Sequence, residues 1–246
     1  MNANVIIPRL NEYAQPVGAT MTQWEPRPAP LAGPLQGRYC RLEKLDWRCH
    51  AEDLYSAYGT APDGRDWTYM AVGPFADAGA FSAYLQTEAA RTERVSFAVV
   101  DGATGKAVGT FALMRIDSGN GVVEVGSVAF SPLLQRTRVA TEAHFLLMRH
   151  VFGTLGYRRY EWKCDSLNTP SRNAAARLGF SFEGVFRQAL VYKGRNRDTA
   201  WFSILDGEWP ILRDAFMQWL MPQNFDDQGR QRHSLGEIRA SSHPEA

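Results

Sequence analysis

A few short stretches of this chain carry residues whose types and spacing could do chemistry. Val122-Val123-Glu124-Val125-Gly126-Ser127-Val128 sets one carboxylate in a run of apolar residues. Period-2 alternation places Glu124, Gly126 and Val128 on one strand face and Val123, Val125 and Ser127 on the other. A charge in that setting lies either at a cavity or on a solvated sheet face, and at a cavity it could take a proton. Gln135-Arg136-Thr137-Arg138-Val139-Ala140-Thr141 then opens a stretch of helical periodicity. A loop entering a helix offers unpaired N–H groups at the positive end of the helix dipole, which suits an anion. An ordinary polar helix start is the other reading. A Walker loop is excluded, because no Gly-Lys-Ser/Thr follows. Asn168 precedes Thr169-Pro170-Ser171 and could simply cap or turn the chain, and Ser171 is a good helix N-cap. Cys164 reads as a small buried residue rather than a nucleophile. His144 and His150 fall on a helix, where packed or surface roles account for both.

The elements that must position these residues can be read in order. Tyr39 to Leu45 alternates as a half-buried strand, and Asp46 caps a helix through Tyr58. Trp67 to Met70 forms an aromatic loop, and a second helix runs from about Asp77 to Thr92. Strands follow at Val95–Val100, Ala107–Ile116 and Val122–Phe130, joined by turns rich in Gly, Asp and Asn, so they form an antiparallel meander. Phe145, Met148, Phe152 and Leu155 recur at helical spacing from about Arg138 until Gly156 stops the helix. Tyr160–Cys164 is the next strand, and strand, helix, strand at this spacing makes a parallel crossover. A short helix (Ser171–Leu178), two strands (Phe180–Val191, Thr199–Leu205) and a helix (Glu208–Leu220) close the unit. The fold class is therefore α/β in the α+β sense: a mixed, mainly antiparallel central sheet with helices on both faces.

Composition bounds the rest. The chain has 246 residues, 45% hydrophobic and 22% charged, enough for one sizeable core. Its formal charge of +1 argues against a domain that holds nucleic acid by a strong field. No apolar run approaches the roughly 20 residues of a membrane helix, and Met1 does not open a secretion signal, so a cytoplasmic protein without a membrane partner is expected. Cys40, Cys49 and Cys164 have no paired spacing, and no His and Cys cluster suggests a metal. Residues 1–35 carry six prolines among residues 8–34 and read as an arm, either flexible or draped over the domain, with Tyr13 and Trp24 favouring draping. Residues 36–220 form the compact domain, and 221–246 a polar tail.

Three motifs in order resemble the GNAT N-acetyltransferases, most closely their ribosomal-protein-alanine acetyltransferase-like branch. Glu124-Val125-Gly126 matches an E-x-G strand, followed by a Pro-containing loop, Gln135 to Ala140 as Q-x-x-G-x-G/A, and Ala140-Thr141-Glu142-Ala143. Asn168-Thr169-Pro170-Ser171 with Leu178-Gly179-Phe180 matches N-x-x-S…L-G-F. Lys193-Gly194 and Asp198 precede a final strand and a Glu208-Trp209 helix. The resemblance spans about residues 39–219. It implies acetyl-CoA as co-substrate, no metal, and an amine acceptor that is either a protein N-terminus or a small molecule, with a homodimer allowed. By the same resemblance Gln135, Arg136, Thr137, Arg138, Val139, Ala140 and Thr141 would cradle the pyrophosphate. Val128, Ala129 and Phe130 would flank the pantetheine opposite Asn168, with an N–H near Ala129 or Phe130 polarising the thioester. Glu124 would be the base, acting directly or through water, and Ser171 the remaining candidate for the acid. Two positions depart from the pattern: Arg138 stands where the family has its first loop glycine, and Ala175 where many members have a tyrosine. They keep a second reading open, a non-catalytic CoA- or partner-binding protein on a degenerate fold. Acceptor sites in the family draw on the first helices and last strands, here Trp67, Tyr69, Met70, Phe75, Tyr192, Trp201 and Phe202, which could equally be core.

Overall fold

The computed structural model describes residues 9–30 and 33–241; the ends of both the arm and the tail lie outside the described residues. Strands β1 (Arg9–Leu10) and β2 (Pro16–Val17) pair as a small hairpin. The main sheet comprises β3 (Leu35–Gln36), β4 (Cys40–Lys44), β5 (Val95–Asp101), β6 (Ala107–Asp117), β7 (Val122–Phe130), β8 (Arg159–Asp165), β9 (Ser181–Tyr192) and β10 (Arg195–Leu205). Its spatial order is β3-β4-β5-β6-β7-β8-β10-β9, and only β7 and β8 run parallel. The helices are α1 (Trp47–Tyr58), α2 (Ala78–Ala90), α3 (Arg138–Arg149), α4 (Thr169–Arg177), α5 (Trp209–Trp219) and α6 (Leu235–Ser241).

Alternation along the strands builds a core on each face. On β5, Phe97 and Val99 enter the larger core with α3, α5 and α6, while Ala98 and Val100 enter the smaller one with Leu54 of α1 and Phe81 and Leu85 of α2. The helix starts follow local chemistry. Asp46 accepts from the Arg48 N–H and Asp77 from the Ala80 N–H, so each satisfies a first-turn donor. The predicted single helix to Leu155 instead ends as α-helix at Arg149 and widens into a π turn at His150–Thr154, which keeps both Val151 and Phe152 buried before Gly156 reverses the chain at φ +68°. Glu142 of α3 is buried and accepts from the N–H groups of Arg38, Tyr39 and Cys40 at 2.8, 2.6 and 2.8 Å, so this carboxylate fixes the entry into β4.

Both chain ends pack. In the arm, the Trp24 indole donates to the Gly119 carbonyl at 2.8 Å, and Arg27 caps the same hairpin through Ser118. The polar tail expected from residue 221 needs correction: Phe225, Leu235 and Ile238 are buried in the larger core, and α6 packs on α5. Sparse apolar residues in a polar stretch gave no period long enough to reveal this. Among the described residues no helix is long and apolar enough to cross a membrane, no group of three or more His, Cys, Asp or Glu could hold a metal, and all three cysteines are free.

Candidate active site at the parting of two strands

The parallel pairing of β7 and β8 runs from Val122–Arg159 to Val125–Trp162 and stops. Beyond it β7 pairs only with β6, and β8 only with β10. A bulge accompanies the parting: Ser127 has φ +50°, and Ser127 and Val128 both oppose Phe111 in the register with β6. A bulge bends its strand and sharpens the twist, which carries β7 away from β8. Gly126 lies beside it, and a Cβ there would press on the flexible Met114 side chain, which would have to shift. The bulge also overturns the simple alternation. Ser127 turns its hydroxyl into the cleft that Glu124 lines, where Arg94 Nη1 donates to it at 3.0 Å, and Val128 packs on the larger core.

The gap exposes a backbone edge. The Ser131 N–H donates to Val108 on the β6 side, so alternation turns the Phe130 N–H toward the gap. The Phe130 carbonyl is already taken by Gln135 Nε2 at 2.8 Å, and the Ala129 carbonyl by the Tyr58 hydroxyl at 2.7 Å. Of the two donors anticipated, Phe130 is thus the one on the open edge.

A cleft of about 570 Å³ borders the gap on the α2 face of the sheet and contains Glu124, Asn168 and Ser171. Glu124 is buried; Lys163 Nζ lies 2.9 Å from its Oε2 and Arg115 Nε 3.5 Å. Lys163 also reaches Glu161 at 2.7 Å and sits 3.8 Å from the centre of the Trp201 ring. Burial raises the Glu124 pKa, and Lys163 and Arg115 offset only part of the rise. A carboxylate that is buried, paired and shifted toward neutrality has the properties of a base at cellular pH. Asn168 is the N-cap of α4, its Oδ1 accepting from the Ser171 N–H at 3.1 Å, so the cap belongs to Asn168 and not to Ser171. The Ser171 hydroxyl accepts from the Trp162 indole at 3.0 Å. Burial pushes the neighbouring Cys164 thiol up, away from a thiolate. Tyr69, Met70 and Trp201 line the same cleft, whereas Trp67, Phe75 and Phe202 are packing residues.

A larger cleft of about 1050 Å³ borders the gap at Phe130 and Thr169, on the α3 face. Its floor is the α3 N-terminus. Thr137 is the N-cap and occupies the Ala140 N–H, leaving the Arg138 and Val139 N–H groups of the first turn without intrahelical acceptors. The left-handed residue of this loop is Arg136, at φ +61°, not Arg138. Arg138 is the first helical residue, where any side chain is tolerated, so the absent glycine imposes no strain. Its guanidinium lies 4.5 Å over Tyr39 and 5.5 Å from the Phe225 ring. Gln135 spends its side chain on Phe130 and its N–H on Ser131, so it shapes the loop rather than offering donors. Thr141 is buried and receives two bonds of 3.1 Å from Arg177, which also lies 5.2 Å from the Trp219 ring. Four arginines line this cleft (Arg136, Arg138, Arg177 and Arg230) and no carboxylate does. Arg230 pairs with Asp226 at 2.8 Å, whereas Arg177 has no carboxylate partner among the described residues. His144, stacked between Phe130 and Trp162, is held neutral, burial taking its pKa down to about 3.

Several of these residues escaped the sequence reading. Lys163 and Glu161 had a signal, since Arg159, Glu161 and Lys163 alternate along a strand that must lie beside Glu124. Arg94, Arg177 and the tail wall of Phe225, Arg230 and Gln231 had none, because each reaches its cleft only through the tertiary fold.

Comparison with known proteins shows the family and the fold. A family model described as an acetyltransferase (GNAT) domain matches residues 41–181. An uncharacterised N-acetyltransferase, p20, of Bacillus licheniformis is 30% identical over 148 residues, 57% of this chain and 80% of its own length. The crystal structure of a GCN5-related N-acetyltransferase from Brucella melitensis superposes with a TM-score of 0.88 at 48% identity, covering 89% of this chain and 100% of that one. The ribosomal L7/L12 α-N-protein acetyltransferase RimL shares the fold alone, with a TM-score of 0.59 at 18% identity over 74% of this chain and 98% of its own.

Proposed function

The chain belongs to the GNAT acetyltransferase family, and from that premise we propose that it moves an acetyl group from acetyl-CoA directly to a primary amine. The observation that carries this reading is the parting of β7 and β8, with an arginine cleft free of carboxylates on one face and a buried base on the other. A polyanionic donor fits the first cleft, because Arg177 stands at its wall with no carboxylate partner among the described residues and an incoming phosphate would supply the missing negative charge. The free first-turn N–H groups of α3 add donors of the same sign.

When bound, acetyl-CoA supplies an activated acetyl group as a thioester. The residues of the chain account for the remainder. The Phe130 N–H on the open edge of β7 is the donor aimed at the carbonyl oxygen, an oxyanion-type role. Glu124 takes the proton of the acceptor ammonium, directly or through water, because only the neutral amine is nucleophilic. Lys163 keeps Glu124 ionised and fixes its position. Ser171 is the hydroxyl at hand for the leaving sulfur, with Trp162 holding its oxygen.

Calorimetry with acetyl-CoA and a transfer assay over a panel of amines test the reading. Micromolar binding with turnover on at least one amine, lost in Glu124→Gln while binding survives, is the expected result. Absence of acetyl-CoA binding would sink it.

A further inference from the structure

The base-side cleft holds a cation that its acid–base role does not use. Five cationic side chains line it (Arg91, Arg94, Arg115, Lys163 and Arg197) with three carboxylates, and Glu93 and Glu161 outside the lining pair with Arg91 at 2.8 Å and with Lys163 at 2.7 Å. All three carboxylates are committed. Glu124 faces Lys163 and Arg115; Glu88 holds Arg91 at 2.7 Å and Arg94 at 3.3 Å; Asp165 accepts from the Leu167 N–H at 2.9 Å and the Tyr192 hydroxyl at 2.8 Å. One arginine is left without a carboxylate, and a second has an unused donor. Arg197, half-buried on β10, donates to the Thr199 hydroxyl at 3.1 Å and has no carboxylate partner among the described residues. Arg94, on the facing wall beside Ser127, shares Glu88 with Arg91, and its buried Nε donates no hydrogen bond, with Glu93 3.8 Å away. Holding cations inside a cleft costs desolvation unless an anion arrives to meet them.

The cleft is also roofed. Lys193, at the turn between β9 and β10, donates to the carbonyls of Trp67, Val72 and Gly73 at 2.9, 3.1 and 2.7 Å, and Arg195 donates to that of Thr68 at 2.7 Å. These bonds tie the hairpin to the loop that carries Tyr69 and Met70 over the cleft, and Tyr69 closes onto the Leu167 carbonyl at 3.2 Å. A volume of about 570 Å³ under such a roof suits a small molecule better than a polypeptide segment.

Building on the acetyltransferase reading, we propose that the acceptor is a small amine that also bears a carboxylate, an amino acid or a close analogue. Its amine meets Glu124 and its carboxylate meets Arg197, with Arg94 on the opposite wall. The guanidinium fork matches a carboxylate in geometry as well as sign. The aromatic wall of Tyr69, Trp162 and Trp201 then meets the apolar part of the acceptor.

The test uses binding, so it does not depend on turnover. N-acetylleucine and N-acetylphenylalanine, each compared with its carboxamide, are titrated calorimetrically into the full-length protein, alone and saturated with CoA. The carboxylate is expected to bind at least tenfold tighter than the carboxamide. That preference should fall below threefold in Arg197→Gln and be partly kept in Arg197→Lys, with circular dichroism confirming that both variants fold. Equal affinities, a preference for the carboxamide, a preference that survives in both Arg197→Gln and Arg94→Gln, or no binding by either member at millimolar concentration would overturn the proposal. Loss of CoA binding with the carboxylate preference intact would instead overturn the donor assignment alone.

Discussion

The clefts on the two sides of the β7–β8 gap differ in how their charges are paired. On the α3 face four arginines line the cleft with no carboxylate among its lining residues, and of the four only Arg230 is paired, with Asp226, among the described residues. On the α2 face nearly every charge has a partner, and Glu124, Lys163 and Glu161 lie in contact. The first arrangement gains from an outside anion; the second suits the base proposed for it, a buried carboxylate held between cations. One gap in one sheet serves both, because a parted pair of strands opens to both faces at once. The contrast makes separable predictions: changes on one side should alter binding of the donor, and changes on the other should alter chemistry.

The largest expected effect is Glu124→Gln. Removing the base should lower transfer by about 100-fold or more, while acetyl-CoA affinity measured by calorimetry stays within threefold. A matching loss of acetyl-CoA affinity would break the division between the clefts. Next is Arg177→Met, which should weaken acetyl-CoA binding by about tenfold, the scale of one charged hydrogen bond. The same variant should melt only slightly lower than the parent, since it gives up two bonds to the Thr141 hydroxyl and the contact with Trp219 but strands no carboxylate among the described residues. A much lower melting temperature with unchanged affinity would make Arg177 a packing residue.

Lys163→Met should move the pH profile rather than abolish activity. Glu124 acts as a base only when ionised, so activity falls as pH drops through its pKa. Burial already raises that pKa, and Lys163 opposes the rise. Without Lys163 the acidic limb of kcat/KM should move to higher pH by about one unit; an unmoved limb would assign it to another group. The smallest effect is Ser171→Ala, expected to lower kcat by about threefold to tenfold without changing the acidic limb. No change in kcat would leave the hydroxyl as a support for Trp162 alone.

Much of this was legible in the residues. Period-2 runs and turn residues marked the meander strands, and Asp46 and Asp77 marked their helices, because caps and alternation act over a few positions. Asn168 and Thr137 also obey local rules, each accepting from an N–H three residues on. The position where the family has its first loop glycine, Arg138 here, lies inside the helix, and loop closure places the left-handed residue at Arg136. The faces of Ser127 and Val128 were also misassigned, since a bulge depends on the partner strand and leaves no mark on the alternation of its own. The tail was read as polar because three buried residues, Phe225, Leu235 and Ile238, are too few to show a period.

The sequence by itself determined the elements, their order, the carboxylate among valines and the polar helix start, all of which rest on short-range periodicity and capping. The tertiary structure alone decided that β7 and β8 part after Val125, that Lys163 stands against Glu124, and that Arg177 and Arg197 have no carboxylate partner among the described residues. Those facts depend on which strands pair and where pairing ends, and so on contacts between residues far apart along the chain. Charge is carried by residues, but its compensation is set by neighbours in space, and only the fold chooses those neighbours.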